Sequence, residues 1–268
     1  MHIDEANLSN LTSLWHKYGS QPVKANTPPL LQVNTHWPHR CWIDWNAQSD
    51  DVTAQLLWDV NDSGWVKNIP ESTVFPLRQT MNANNDMPAC KFESQVIEQL
   101  LLDKNWYCAF EQTAMCLALP GKAKHKPQPQ PQPQLRPGFY VKSVNTLQDS
   151  KVWADIGSEA FAYEIDHCVV QQLIHADDVQ LLVGWDNHQP IVSGLLYKTG
   201  DVIGVHQVGV KPAFQGKGFA NSFMLDIIAA CEQWQGKYVV LQASQRGKPL
   251  YEKLGFKSQF IIKNFKRV

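Results

Sequence analysis

The chain has 268 residues, 44% hydrophobic and 18% charged, with a formal net charge of −1. That balance excludes a general electrostatic attraction to nucleic acid or to an anionic membrane, and no apolar run reaches the roughly 18 residues of a membrane span. The length suits one large or two medium domains. The opening Met1-His2-Ile3-Asp4-Glu5 has neither the basic region nor the apolar stretch of a signal peptide, so a cytoplasmic protein is expected. Six cysteines, at 41, 90, 108, 116, 168 and 231, form no Cys-x-x-Cys pair, and neither a disulfide framework nor a zinc motif is expected. His36, His39 and Cys41 lie close together, but no fourth ligand follows at a recognisable spacing. A Pro-bearing loop entering a strand is expected there, with no metal.

In chain order, the N-terminal segment offers strands over residues 41–45 and 113–119. Between them Phe92, Val96, Ile97, Leu100 and Leu101 fall on one helical stripe. Trp37, Trp42, Trp45, Trp58 and Trp65 make this half aromatic. Most belong to a core, with one or two as candidates to line a pocket facing a second domain. Lys126-Pro-Gln-Pro-Gln-Pro-Gln-Pro-Gln134 alternates proline with a polar residue and cannot form a helix interior or a paired strand. An extended spacer of roughly 25 Å, at ~3.1 Å per residue, is expected. The predicted organisation is an α/β domain over 1–124, a linker over 125–134 and a mixed α/β domain over 135–268.

In that second domain a strand is predicted over 139–144. Val152, Ile156, Ala160 and Tyr163 mark an amphipathic helix, and Asp166 caps another carrying Val169, Val170, Leu173 and Ile174. Residues 179–185 and 190–198 read as a hairpin turned by Asp186-Asn187-His188, and 202–210 as a third strand. Phe223, Met224, Ile227, Ile228, Cys231 and Trp234 form a helical stripe. A strand over 238–243 leads to a short helix over 247–254, which Gly255 can end in the left-handed conformation. The closing strand spans 256–265.

The segment that carries chemistry is Val208-Gly-Val-Lys-Pro-Ala-Phe-Gln-Gly-Lys-Gly-Phe-Ala-Asn221. A strand ends near Val210, Pro212 blocks its continuation, and Gln215-Gly216-Lys217-Gly218-Phe219-Ala220 opens a helix. Glycines at such a junction let several N–H groups point at one spot, where the helix dipole favours a phosphate or pyrophosphate. The side chain of Lys217 adds a positive charge. A glycine turn with no ligand is the alternative if the segment is taken alone. A Walker A loop does not fit, because Gly218 follows Lys217 and Lys211 stands at the first glycine position. A Rossmann fingerprint does not fit either, because Asn221 replaces the third glycine, and Gln242 and Ser244 stand where the acidic residue belongs.

Gln215-x-x-Gly218-x-Ala220 resembles the Gln/Arg-x-x-Gly-x-Gly/Ala acyl-CoA motif of the GNAT superfamily, preceded by its usual Val-x-Pro. Ser244-x-x-Gly247-x-x-Leu250-Tyr251-Glu252-Lys253-Leu254-Gly255-Phe256 resembles that family's second signature. The resemblance implies the GNAT-type acyl-CoA N-acyltransferase fold with a mixed central sheet over 135–268, and an N-acetyltransferase using acetyl-CoA as co-substrate. The backbone N–H groups from Gln215 to Ala220, that is Gln215, Gly216, Lys217, Gly218, Phe219 and Ala220, would hold the CoA pyrophosphate. Val208, Gly209 and Val210 would pair with the pantetheine arm. Ser244 and Gly247 stand where the family often has Asn and Ala in contact with CoA, and Tyr251 where it has the general acid.

The acceptor amine must be neutral to attack, since an alkylammonium has a pKa near ~10.4. His206, on the strand leading into the motif, is the first candidate base; a buried strand histidine that only hydrogen-bonds is the other reading. Glu159, Glu164 and Asp166 are further candidates. Tyr251 could equally be a core tyrosine beside Leu250 and Leu254. Direct attack requires no covalent intermediate, so no cysteine is nominated as nucleophile. Three functions stay open: acetylation of a small-molecule or amino-acid-like amine, a non-catalytic acyl-CoA sensor, and a protein acetyltransferase with an N-terminal docking domain. A homodimer is compatible with any of them.

The run helix, Lys104-Asn105-Trp106, strand echoes Lys253-Leu254-Gly255-Phe256 and its closing strand. This admits the N-terminal half as a degenerate GNAT-like copy. No counterpart of the Gln-x-x-Gly-x-Ala loop occurs in 1–124, so one cofactor site per chain is expected.

Overall fold

The structure is a computed structural model that describes residues 2–23, 31–43, 66–67, 69–80, 88–120 and 136–268. The Pro/Gln segment over 126–134 lies outside the described residues, as do Trp45, Trp58 and Trp65. Contacts group the chain into two units: Met1–Met115 with Gln242–Lys253 and Lys257–Val268, and Cys116–Leu241 with Leu254–Phe256. This grouping is not the linear division drawn at the Pro/Gln segment. The closing strand is the reason, because its hydrogen bonds go to a strand of the N-terminal segment.

In the first unit, helix α1 (Ile3–Lys17) starts in a capping box, with His2 Nδ1 accepting from the Asp4 amide at 3.4 Å and Glu5 accepting from the His2 amide at 3.3 Å. A small antiparallel sheet has the order β1 (Gln21–Pro22), β2 (Leu31–Val33), β3 (Cys41–Ile43). Strand β4 (Phe75–Thr80) and helix α2 (Pro88–Asp103) follow, then β5 (Trp106–Ala118). The closing strand, β11 (Lys257–Arg267), pairs antiparallel with β4 from Phe260↔Thr80 to Phe265↔Phe75. Leu31, Ile43, Phe75, Leu77, Leu101, Trp106 and Phe265 form one buried cluster. Of the five tryptophans singled out, the described Trp37 and Trp42 are both buried. His36 and His39 lie in the loop entering β3, where Trp37-Pro38 is cis and His39 has φ 52°. Strand β5 begins seven residues before the predicted start at 113, because its first half is largely exposed and shows no period-two burial. Asn105, between α2 and β5, is left-handed at φ 63°, as is Gly255 at φ 91° before β11.

The second unit begins with β6 (Phe139–Ser143), α3 (Leu147–Phe161) and α4 (His167–Gln171), and continues with β7 (Val179–Asp186), β8 (Gln189–Thr199) and β9 (Val202–Val210). After a 3-10 turn at Pro212–Phe214 come α5 (Phe219–Gln233) and β10 (Tyr238–Ser244), which leads on to α6 (Lys248–Lys253). The strands run in the order β6-β7-β8-β9-β10, antiparallel except for the parallel β9–β10 pair, so the sheet is mixed. The β7–β8 hairpin turns through Asn187 and His188, both left-handed at φ 47° and 69°, the pattern of a two-residue type I′ turn.

Helix α5 buries Phe223, Met224, Ile227 and Cys231 against the sheet, each large apolar side chain contributing ~1.5–3 kcal/mol. Ile228 and Trp234, expected on the same stripe, lie at its margin. Helix α4 is shorter than expected: Leu173 and Ile174 sit in the following turns, their amides bonded three residues back to Val170 and Gln171. Helix α3 ends at Phe161, where Ala162 turns left-handed at φ 55°. Tyr163 therefore leaves the helix on which the periodicity placed it, and lies exposed. No helix among the described residues is long and apolar enough to cross a membrane.

Candidate functional site

Strand β9 supplies the first half of the site. It pairs with β10 only through Val202, Ile203 and Gly204 opposite Tyr238, Val239 and Val240, so residues 205–210 run past the paired stretch. On its other edge the register with β8 slips: Leu195 faces His206, but Ser193 faces Gly209. Two residues, Gln207 and Val208, thus stand against Gly194. Gln207 takes the strain of this bulge with a left-handed φ of 53°, an uncommon conformation for a non-glycine residue. The Gly194 carbonyl accepts the indole N–H of the fully buried Trp153 at 2.8 Å, which fixes the bulge from behind. A side chain at Gly194 is impossible without movement, because its Cβ would lie 2.6 Å from Phe223.

The second half is the turn after β9. Lys211 leads into the 3-10 turn, Gln215 is extended, and its amide side chain donates to the Val210 carbonyl at 2.9 Å. Gly216 and Gly218 are both left-handed, at φ 75° and 85°. Gly218 is the N-cap of α5 and has no side chain to cap the first amides of the helix. A Cβ at Gly216 would meet nothing within 4 Å, so the turn faces open space. Gln215, Gly216, Lys217, Gly218, Phe219 and Ala220 are thereby gathered in one turn with the positive end of a helix behind it.

Arg136 also belongs to this turn, and sequence reasoning passed over it because it falls between the linker and β6. Its guanidinium donates to the Lys217 carbonyl and stacks over the Phe219 ring with Cζ 3.9 Å from the centroid. Phe219 is buried between Phe139 and Phe214, with ring centroids 5.7 and 5.8 Å away. Lys217 Nζ stands 5.3 Å over the Phe214 ring. Two cations are thus held beside the turn on aromatic faces. An open glycine turn at a helix N-terminus with two cations beside it suits a diphosphate, so the residues present fit the acyl-CoA expected from the motif.

Beside the bulge, Gly209 lets α3 approach closely: its absent Cβ would lie 2.8 Å from Ala160 Cβ and 3.1 Å from the Phe161 ring. Phe161 and Tyr163 stack with centroids 5.7 Å apart at 17°, and the Tyr163 hydroxyl donates to Gln207 Oε1 at 3.3 Å. The candidate base His206 is buried within β9, 7% exposed. Glu159 pairs with Lys211 at 3.6 Å, and Asp166 accepts from the Cys168 amide at 2.8 Å as cap of α4. Glu164 is exposed. Asp166, His167 and Cys168 bring potential ligand atoms within 4.8 Å of one another, but His167 and Cys168 face solvent and Asp166 is committed to its cap.

In the first unit, Ser244 and Gly247 form the turn that opens α6. The Gly247 amide lies 3.1 Å from Ser244 Oγ and 3.0 Å from the Ser244 carbonyl. A Cβ at Gly247 would stand 3.3 Å from both Ser244 Oγ and the Tyr251 ring, so alanine at 247 would force these neighbours to shift slightly. Desolvation pushes the Tyr251 phenol up to about 12. The same cause pushes the buried thiols of Cys41 and Cys231 up to about 12, which leaves neither as a thiolate nucleophile at neutral pH.

A family model described as an acetyltransferase (GNAT) domain matches residues 144–265. A GCN5-related N-acetyltransferase from Kribbella flavida has a similar fold, with a TM-score of 0.61 at 13% identity over 97% of this chain and 94% of that one. Another from Sphaerobacter thermophilus gives a TM-score of 0.58 at 13% identity, over 85% of this chain and 72% of that one. No curated protein matches the chain. Residues 144–265, which contain the bulged strand, the glycine turn and the Tyr251 helix, belong to the GNAT family of acetyltransferases.

Proposed function

We propose that the protein moves an acetyl group from acetyl-CoA to a primary amine of a small molecule by direct attack. The observation that carries this reading is the turn at Gly216 and Gly218, which opens α5 directly after a bulged strand. Its amides hold the diphosphate, with Lys217 and Arg136 alongside. Val208, Gly209 and Val210 offer their main chain to the pantetheine arm and set the thioester beside the bulge. His206 takes the proton from the amine; the nitrogen lone pair forms the C–N bond as the C–S bond breaks. Tyr251 then gives its proton to the departing thiolate. Main-chain N–H groups at the bulge stabilise the charge that builds on the carbonyl oxygen.

Release of free CoA thiol from acetyl-CoA, measured across a panel of primary amines, tests this directly. Amine-dependent release is expected, and His206→Gln is expected to lower kcat by about 100-fold with little change in acetyl-CoA affinity. Binding of acetyl-CoA with no release for any amine would favour the sensor, and release only with a polypeptide would favour the protein-modifying enzyme. The role of Arg136 has its own test. Arg136→Ala is expected to weaken acetyl-CoA binding about tenfold, equivalent to ~1.4 kcal/mol, in isothermal titration. Acetyl-pantetheine, which lacks the phosphates, should show no such loss.

A further inference from the structure

Resting on the transferase reading, we infer that the acceptor is a primary monoamine carrying a flat aromatic group, seated on the Phe161–Tyr163 ring pair. The strand geometry fixes where an acceptor must arrive: against the thioester, at residues 208–210 beyond the bulge. Two aromatic side chains lie beside that point. The Phe161 ring would touch a Cβ at Gly209, and the Tyr163 hydroxyl reaches the side chain of the bulge residue Gln207. The two rings are nearly parallel, and both are exposed, at 36% and 45%. The left-handed Ala162 puts them there, since a continued helix would carry Tyr163 elsewhere. The Ile165 amide bonded to Ser158 Oγ at 2.9 Å closes this turn behind them.

The charged groups around the rings point the same way. A diamine or an amino acid needs a fixed opposite charge for its second ionic group. Glu159 already pairs with Lys211 at 3.6 Å, and Asp166 already accepts from the Cys168 amide as the cap of α4. Glu164 lies in solvent, where a charge pair is worth little. What the described residues offer an acceptor is a ring face, on which an aryl group gains buried area and stacking. The reaction is unchanged: the amine nitrogen forms the C–N bond as the thioester C–S bond breaks, the amine proton passes to the base, and the CoA thiolate takes the proton of Tyr251.

The test compares phenethylamine, butylamine, putrescine and alanine as acceptors for the full chain, by thiol release with saturating acetyl-CoA. Phenethylamine is expected to have a kcat/KM at least tenfold above butylamine and higher still above the two charged acceptors. Phe161→Ala and Tyr163→Ala are each expected to raise KM for phenethylamine about tenfold and to remove its advantage over butylamine. Titration of both variants with acetyl-CoA controls for folding. Equal efficiency for phenethylamine and butylamine, or a preference for putrescine or alanine, overturns the inference and leaves the transferase reading standing. No release with any amine overturns both.

Discussion

Replacing Gly218 by valine is expected to raise the dissociation constant for acetyl-CoA by about 100-fold, equivalent to ~2.7 kcal/mol. Gly218 sits at φ 85°, where an L-residue costs about 1–2 kcal/mol and a β-branched one is a genuine outlier. The free variant relieves that cost by turning its peptide, so the amides no longer converge and binding must restore them. The added side chain also projects into space where the nearest atom is Arg136 Nη1 at 3.9 Å, one of the two cations beside the turn. Gly216→Ala is the graded control. It carries the φ penalty at 75°, but its Cβ meets nothing within 4 Å, so a loss of about tenfold is expected. Both effects are read by isothermal titration, with thermal unfolding to show that the variants stay folded. Unchanged affinity in Gly218→Val would remove the turn from cofactor binding.

Tyr251→Phe is expected to lower kcat by about 100-fold or more, the range of a lost general acid, with the acetyl-CoA dissociation constant unchanged. Phenylalanine keeps the ring that would lie 3.3 Å from a Cβ at Gly247 and removes only the proton donor. The pH profile adds a second readout. Desolvation disfavours the charged phenolate, so the folded pKa lies above the ordinary 10, at about 12. Tyr251 is therefore protonated at neutral pH and stays so as pH rises past 10; a loss of rate from its ionisation belongs only above that. In the wild type the falling alkaline limb of kcat should not appear below pH 10, whereas the rising acid limb reports the base. Steady-state kinetics between pH 6 and 10 check both, and an unchanged kcat in Tyr251→Phe would remove it as the acid.

The second unit was largely legible because its signals are local. The run of β-branched residues in β9, the stripe of α5 and the Asn187-His188 turn each state their conformation within a few neighbouring residues. The glycine turn was legible for the same reason, since glycines after a Pro-terminated strand have few other uses. Most of what escaped depends on partners remote in sequence. The β4–β11 pairing joins residues 75–80 to the end of the chain, so no break in composition could reveal it. The bulge at Gln207 is invisible in β9 alone, because it arises from register with β8 and from the Trp153 hydrogen bond to Gly194. Arg136 has no sequence pattern, only a place against Phe219. Tyr163 continued a helical period that Ala162 interrupts, and alanine, a strong helix former, gave no sign of the break.

Co-crystallisation with CoA puts the most direct question to the glycine turn. The predicted result is a diphosphate whose oxygens lie about 2.7–3.2 Å from the amides of residues 216–220, with the pantetheine arm running along residues 208–210. A complex whose diphosphate sits away from that turn, or crystals grown in excess CoA that contain none, would contradict it.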